Sequence, residues 1–309
     1  MTSVAFISHP ACRLHEMGRH PEQPARLAAI EERLRSTGLY ETLDHREAPA
    51  VDLDLLRQVH APFHVDAVIG SAPAQGYSQL DPDTAMNPHS LEAALRAAGA
   101  AQFGVDLVLS GEVHRAFCAV RPPGHHAERN RAMGFCLFNN VATAARHALY
   151  SHGLERVAIL DFDVHHGNGT EDIVAGEERI LFCSTFQHPF YPGSGIDCDA
   201  PNVVNTPLPA GSDGAAFRAA VERDWLPRLR DFAPQLLLVS AGFDGHEADP
   251  LAGLNLREAD YRWVTARLCE QANASAAGRV VSCLEGGYDL DALARSVEQH
   301  LRALLDDGD

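Results

Sequence analysis

The sequence is poor in several features, and each shortage closes a class of explanation. No apolar run approaches the ~20 residues of a membrane-spanning helix, so no membrane partner is expected. The first ten residues carry no basic segment followed by an apolar stretch, and no secretory signal is read there. The seven cysteines are odd in number, scattered and nowhere spaced Cys-x-x-Cys, which excludes a zinc ribbon and a thioredoxin-like redox pair. Cys118, Cys183 and Cys283 lie inside apolar runs and are expected to be reduced core thiols of a cytoplasmic protein. Positive charge is scarce as well. With 25 Lys+Arg against 42 Asp+Glu and a formal net charge of −17, no nucleic-acid partner is expected, because phosphate contacts need a basic face. The acidic balance suits a cationic substrate, although most such charge is simply solvated surface. There is no repeat, low-complexity tract or Pro/Ser-rich linker to divide the chain.

What the 309 residues do contain is alternation. Short apolar runs at 4–7, 116–120, 157–160, 180–183, 236–240 and 280–284 read as strands. Four of these are almost continuously apolar, as in a parallel sheet covered on both faces. Helical patterns lie between them at 24–37, 90–110, 140–152, 213–230, 258–277 and 289–306, with Asp213 and Asp289 as N-caps. This order predicts one α/β domain over residues 1–309 with a parallel central sheet.

Ligands of open parallel sheets bind beyond the carboxyl ends of the strands. Five successive strand ends carry His, Asp, Ser or Tyr beside glycine. They are Arg121-Pro-Pro-Gly-His125-His126, Asp161-Phe-Asp163-Val-His165-His166-Gly-Asn168, Ser184-Thr-Phe with Tyr191 beyond it, Gly242-Phe-Asp244, and Glu285-Gly-Gly-Tyr288. In an extended segment Asp161, Asp163 and His165 share one side, where they repel and desolvate one another unless a cation sits among them. Capping of the helix that begins near Gly169 is the other reading of these acids, and Asp244 has the same alternative. Together the two loops offer O, N and O donors with one position open, which describes a catalytic zinc. His125-His126 follows a stiff Pro-Pro-Gly segment and reads either as a proton-transfer pair beside that metal or as a loop feature. Tyr288, after two glycines, reads as a hydrogen-bond donor to a developing oxyanion or as a core aromatic.

These blocks, with Met133-Gly-Phe-Cys-Leu-Phe-Asn139, Asp249-Pro-Leu-Ala-Gly253 and His20-Pro-Glu-Gln-Pro-Ala-Arg26, resemble the signature blocks of the zinc-dependent histone deacetylase family. The match is nearest its class II branch and bacterial amidohydrolase members, runs in the family's order and spans nearly the whole chain. The resemblance implies the arginase/deacetylase fold, with an eight-stranded parallel sheet flanked by helices. It implies one Zn2+ per chain on Asp163, His165 and Asp244. His126 then corresponds to the general base and acid, His125 to its electrostatic partner oriented by Asp161, and Tyr288 to the phenol on the scissile carbonyl. Gly134, through its carbonyl, together with Phe135, Tyr191 and Leu251, corresponds to substrate-binding positions. Arg26 corresponds to the arginine near the acetate-release channel. Asp161 and Ser184 correspond to positions near a structural K+. Bacterial members often assemble into dimers or tetramers, which makes a homo-oligomer an expectation.

Two variants bear on chemistry. Asn168 stands where class I members have an Asp, so His126 is expected to rest neutral. Tyr191 replaces the usual Phe and adds a hydroxyl to the channel wall. His15 and His20 read as solvated loop residues. The expected reaction is hydrolysis of an acyl group from the ε-amine of lysine, in a peptide or protein, or from a similar primary amine. An acetylpolyamine is the alternative substrate; polyamine-selective members place an acid where this chain has Leu251. A dinuclear-manganese ureohydrolase and a non-catalytic acyl-lysine reader fit less well.

Overall fold

The computed structural model describes residues 2–306. In chain order the elements begin β1 (Val4–Ser8), α1 (Ala25–Ser36), β2 (Asp44–Glu47), α2 (Leu53–Val59) and α3 (Pro62–Gly70). They continue with β3 (Ser78–Asp81), β4 (Thr84–Met86), α4 (Ser90–Ser110), β5 (Arg115–Cys118), α5 (Asn140–Tyr150) and β6 (Val157–Asp161). Then come α6 (Asn168–Val174), β7 (Ile180–Gln187), β8 (Val203–Leu208), α7 (Gly214–Ala220) and α8 (Leu226–Phe232). The chain closes with β9 (Leu236–Ala241), α9 (Glu258–Ser275), β10 (Val280–Leu284) and α10 (Leu290–Leu305). No helix is long and apolar enough to cross a membrane among the described residues.

Eight strands form one sheet in the order β2-β1-β5-β10-β9-β6-β7-β8. Every neighbouring pair in it is parallel. Successive residues of a strand face opposite sides, and the contacts show helices on both. Ala116 and Val281 lie against Gly104 of α4, whereas Phe117 and Ser282, one residue on, meet His300 of α10. This double cover explains why the central strands are buried throughout and mostly apolar. The two edge strands escape the sequence pattern for the converse reason. β2 alternates exposed polar residues, and β8 is half-exposed with Pro207 in it, as edges commonly are.

The helix expected at 213–230 does begin after the Asp213 cap, but it runs to Phe232 through a wider π-helical turn at Val221–Trp225. Pro227 has no N–H to give the preceding turn and its ring crowds the carbonyl four residues back, which a wider turn relieves. A second apolar cluster joins α2, α3 and the start of α4 to Leu137 and Phe138. It clamps the loop between β5 and α5, which carries much of the site described next.

Candidate active site

The five chemistry-bearing loops follow β5, β10, β9, β6 and β7, and these five strands are contiguous in the sheet. Sequence order scatters them; sheet order brings their carboxyl ends side by side. Asp163, His165 and Asp244 converge there, all buried, with their ligand atoms within 4.8 Å of one another. His165 Nδ1 lies 3.1 Å from Asp163 Oδ1 and 3.2 Å from Asp244 Oδ2. The remaining carboxylate oxygens are fixed by backbone: Asp163 Oδ2 accepts from Gly286 N–H (2.8 Å) and Asp244 Oδ1 from Val164 N–H (3.0 Å). Gly242 and Gly286 are glycines of necessity, because a Cβ at either would overlap these carboxylates. Although burial opposes it, the two carboxylates push the His165 pKa up to about 10; the cluster demands positive charge at its centre.

The histidine pair sits against this cluster. His125 Nδ1 is 3.0 Å from Asp161 Oδ2, and the His125 and His126 rings are 4.0 Å apart. His126 Nδ1 is 2.7 Å from Asn168 Oδ1, while the Asn168 amide nitrogen donates to Glu128 Oε1 at 2.7 Å. With its nitrogen committed as donor, the amide can only accept from His126, so Nδ1 carries the proton and Nε2 is left bare. Burial, with His125 and His165 nearby, holds the His126 pKa well below the ordinary value. Against the opposing effect of burial, Asp163 and Asp161 hold that of His125 well above it. Two adjacent histidines thus have opposite protonation preferences.

A cavity of about 220 Å³ opens onto both groups, smaller than a typical ligand pocket of about 300–1,000 Å³ and suited to a slim chain. Its walls include Gly134, Phe135, Tyr191, Leu251 and Tyr288, all expected from the sequence. Phe135 adopts a left-handed backbone, φ 69°, that an aromatic residue rarely takes. The small β3–β4 hairpin holds it there: Thr84 Oγ1 accepts from Phe135 N–H and Asp83 Oδ1 from Gly134 N–H. Gly134 itself, φ 55°, has no room for a Cβ because the His126 ring lies against it. Its carbonyl accepts from the Cys136 thiol.

Arg26 is fully buried behind Tyr288, its guanidinium 5.0 Å from the ring centre, and donates to the carbonyls of Gly287 and Glu285. Ser184 pairs in register with Asp161 across β6 and β7, and its buried hydroxyl has no hydrogen-bond partner among the described residues.

Several participants were given no role by the sequence. Phe190 stacks on His165 at 5.4 Å and joins Tyr191 in the cavity wall. Asp249 accepts the Tyr288 N–H at 2.6 Å, and Glu285 Oε2 accepts those of Gly124 and His125. Burial raises the Glu285 pKa to about 7. Glu22 is fully buried between Arg26 and Arg121. Its position four residues before Arg26 was the available signal. The expectation for His15 and His20 fails. His15 is fully buried, bonded to Ser90 Oγ at 2.7 Å and 3.5 Å from Glu22, and His20 is half-buried edge-on to Phe135. The carboxylate and the aromatic wall draw them in.

A small cavity ending on buried carboxylates, imidazoles and a tyrosine, at the carboxyl edge of a parallel sheet, is where an α/β enzyme carries its active site. The chain belongs to the histone deacetylase domain family, which it matches over residues 20–304. It is 40% identical over 277 residues to a histone deacetylase-like amidohydrolase of Pseudomonas aeruginosa, covering 87% of this chain and 72% of that protein. It is 38% identical over 328 residues to human polyamine deacetylase HDAC10, covering 99% of this chain and 47% of that one. The crystal structure of the HDA15 HD domain superposes with a TM-score of 0.93 at 34% identity, over 98% of this chain and 88% of that chain.

Proposed function

We propose that this chain is a zinc-dependent amidohydrolase, one catalytic domain over residues 1–309, that removes acetyl or another acyl group from the ε-amine of lysine or a similar primary amine. The observation that carries the reading is the convergence of Asp163, His165 and Asp244 at the end of a slim cavity. Their chemistry fits zinc: two oxygens and a nitrogen, with buried Asp244 Oδ2 making no hydrogen bond among the described residues. Zinc bound there supplies Lewis-acid polarisation and lowers the pKa of water from 15.7 towards ~7.

The chain's own residues then carry the proton. His126, neutral and bare at Nε2, takes a proton from the attacking water and returns it to the amine as the C–N bond breaks. Asn168 keeps the ring in that tautomer. His125, held by Asp161, offers a nearby positive charge against developing negative charge, and the Tyr288 hydroxyl donates to the carbonyl oxygen. Phe135 and Tyr191 wall the stem of the substrate, and the Gly134 carbonyl is the acceptor for its amide N–H. Arg26, buried behind Tyr288, is the residue that would meet the acid product. The unpartnered Ser184 hydroxyl beside Asp161 fits a structural K+.

A second reading, an acylated polyamine as substrate, draws on the Asp83 carboxylate in the cavity wall. Leu251 in the same wall argues for a neutral stem. Turnover compared on acetyl-lysine peptides, acetylputrescine and acetylcadaverine tests the choice. The peptides are expected to be the better substrates; the reverse ranking assigns the enzyme to polyamines.

A further inference from the structure

A second group of metal-type donors lies outside the cavity. Asp106 sits in the last turns of α4, His147 in the last turn of α5, and His152 just beyond that helix. Both imidazoles aim Nε2 at the same oxygen, Asp106 Oδ1, each at 2.7 Å. The two rings meet edge to face with centres 4.9 Å apart. One oxygen and two nitrogens thus fall within 4.8 Å of one another. The Asp106 and His152 side chains are 42% and 30% exposed, so a hydrated ion can reach them, whereas His147 is 10% exposed and held by its helix.

We propose that Asp106, His147 and His152 form a second divalent-metal site, for Zn2+ or a similar borderline ion, that ties the end of α4 to the end of α5. Two imidazoles and a carboxylate are a donor set such ions favour. Metal–ligand bonds of about 2.0–2.2 Å in a tetrahedron separate donors by about 3.3 Å, so each contact need widen only slightly. Two of the donors stand on helices that already pack together, and the third is on a loop that can yield. Loss of the proton from each Nε2, with the Nδ1 tautomer taking its place, is all the ring chemistry required. The fourth position faces water, which makes this an exchangeable site. It stands on observations separate from those behind the proposed catalytic reading.

The test is equilibrium dialysis of the enzyme as purified against buffered Zn2+, with metal counted by elemental analysis, for wild type, His152→Ala and Asp106→Asn. At the same free zinc, the wild type is expected to hold one more equivalent per chain than either variant. Its thermal midpoint should also rise further on zinc addition. His152 is exposed and decides the matter alone should Asp106→Asn fail to fold. Broadening of the His147 and His152 ring resonances by Ni2+ gives a second readout. Equal zinc in wild type and His152→Ala, with no selective broadening of those rings, overturns the proposal. Because neither variant touches the cavity, a lost equivalent here is distinguishable from a defect in the catalytic cluster.

Discussion

His125 and His126 adjoin in sequence, yet their surroundings divide the work between them. A carboxylate faces Nδ1 of the first and an amide faces Nδ1 of the second, at 3.0 and 2.7 Å. A carboxylate stabilises imidazolium and an amide does so far less, so His126 is the one kept neutral. Since its pKa is depressed, the proposed base is available across neutral pH and is lost only on acidification through that lowered value. Asn168→Asp restores the charge. A neighbouring carboxylate typically moves a pKa by about 1–3 units, here upward. The acid limb of the kcat/KM profile is therefore expected to move to higher pH by about a unit or more. An unmoved limb removes the Asn168 contact from the account. This residue was legible in the sequence because it follows His165 by three positions in the Asp161-Phe-Asp-Val-His-His-Gly-Asn168 run. Its partner Glu128 was not, since nothing in the sequence of a surface-like Ala-Glu-Arg stretch says that one carboxylate turns inward.

At the scale of elements, strands that are buried on both faces announced themselves, and those at the edges did not. The same physics decided the site. Donors at the ends of β5, β6, β9 and β10 were readable because apolar runs stop abruptly at them. The β3–β4 hairpin that pins Gly134 and Phe135 was invisible, because strands of four and three residues, Ser-Gln-Leu-Asp and Thr-Ala-Met, are too short to show a pattern. Nor does sequence show that Glu22, in the loop before α1, reaches the far end of β5 to pair with Arg121. That carboxylate is the hinge of a fully buried cluster, with Arg26 as its second partner. Removing one member of a buried charge pair leaves the others uncompensated, at about 3–5 kcal/mol. Glu22→Gln is expected to lose stability on that order in urea unfolding, and to displace Arg26 from behind Tyr288. A loss below about 1 kcal/mol would show that water, not Glu22, satisfies the two arginines.

At the scale of the whole molecule, one compositional fact bears on the proposed chemistry. The chain has no lysine; all 25 of its Lys+Arg positions are arginine. An enzyme so composed has no acyl-lysine of its own to act on. An assay that detects released primary amine therefore reads product with little background from the protein. The net charge of −17 attracts cationic peptides without selecting among them. On the proposed reading, selection falls to the cavity and the cation held at its end. The most direct measurement strips the enzyme with a chelator and titrates Zn2+ back while following hydrolysis of an acetyl-lysine peptide. Activity is predicted to vanish on stripping and to return along a line that breaks at one equivalent per chain, with the exposed second site filling only beyond it. Stripped protein that hydrolyses the peptide undiminished would contradict the account at its root.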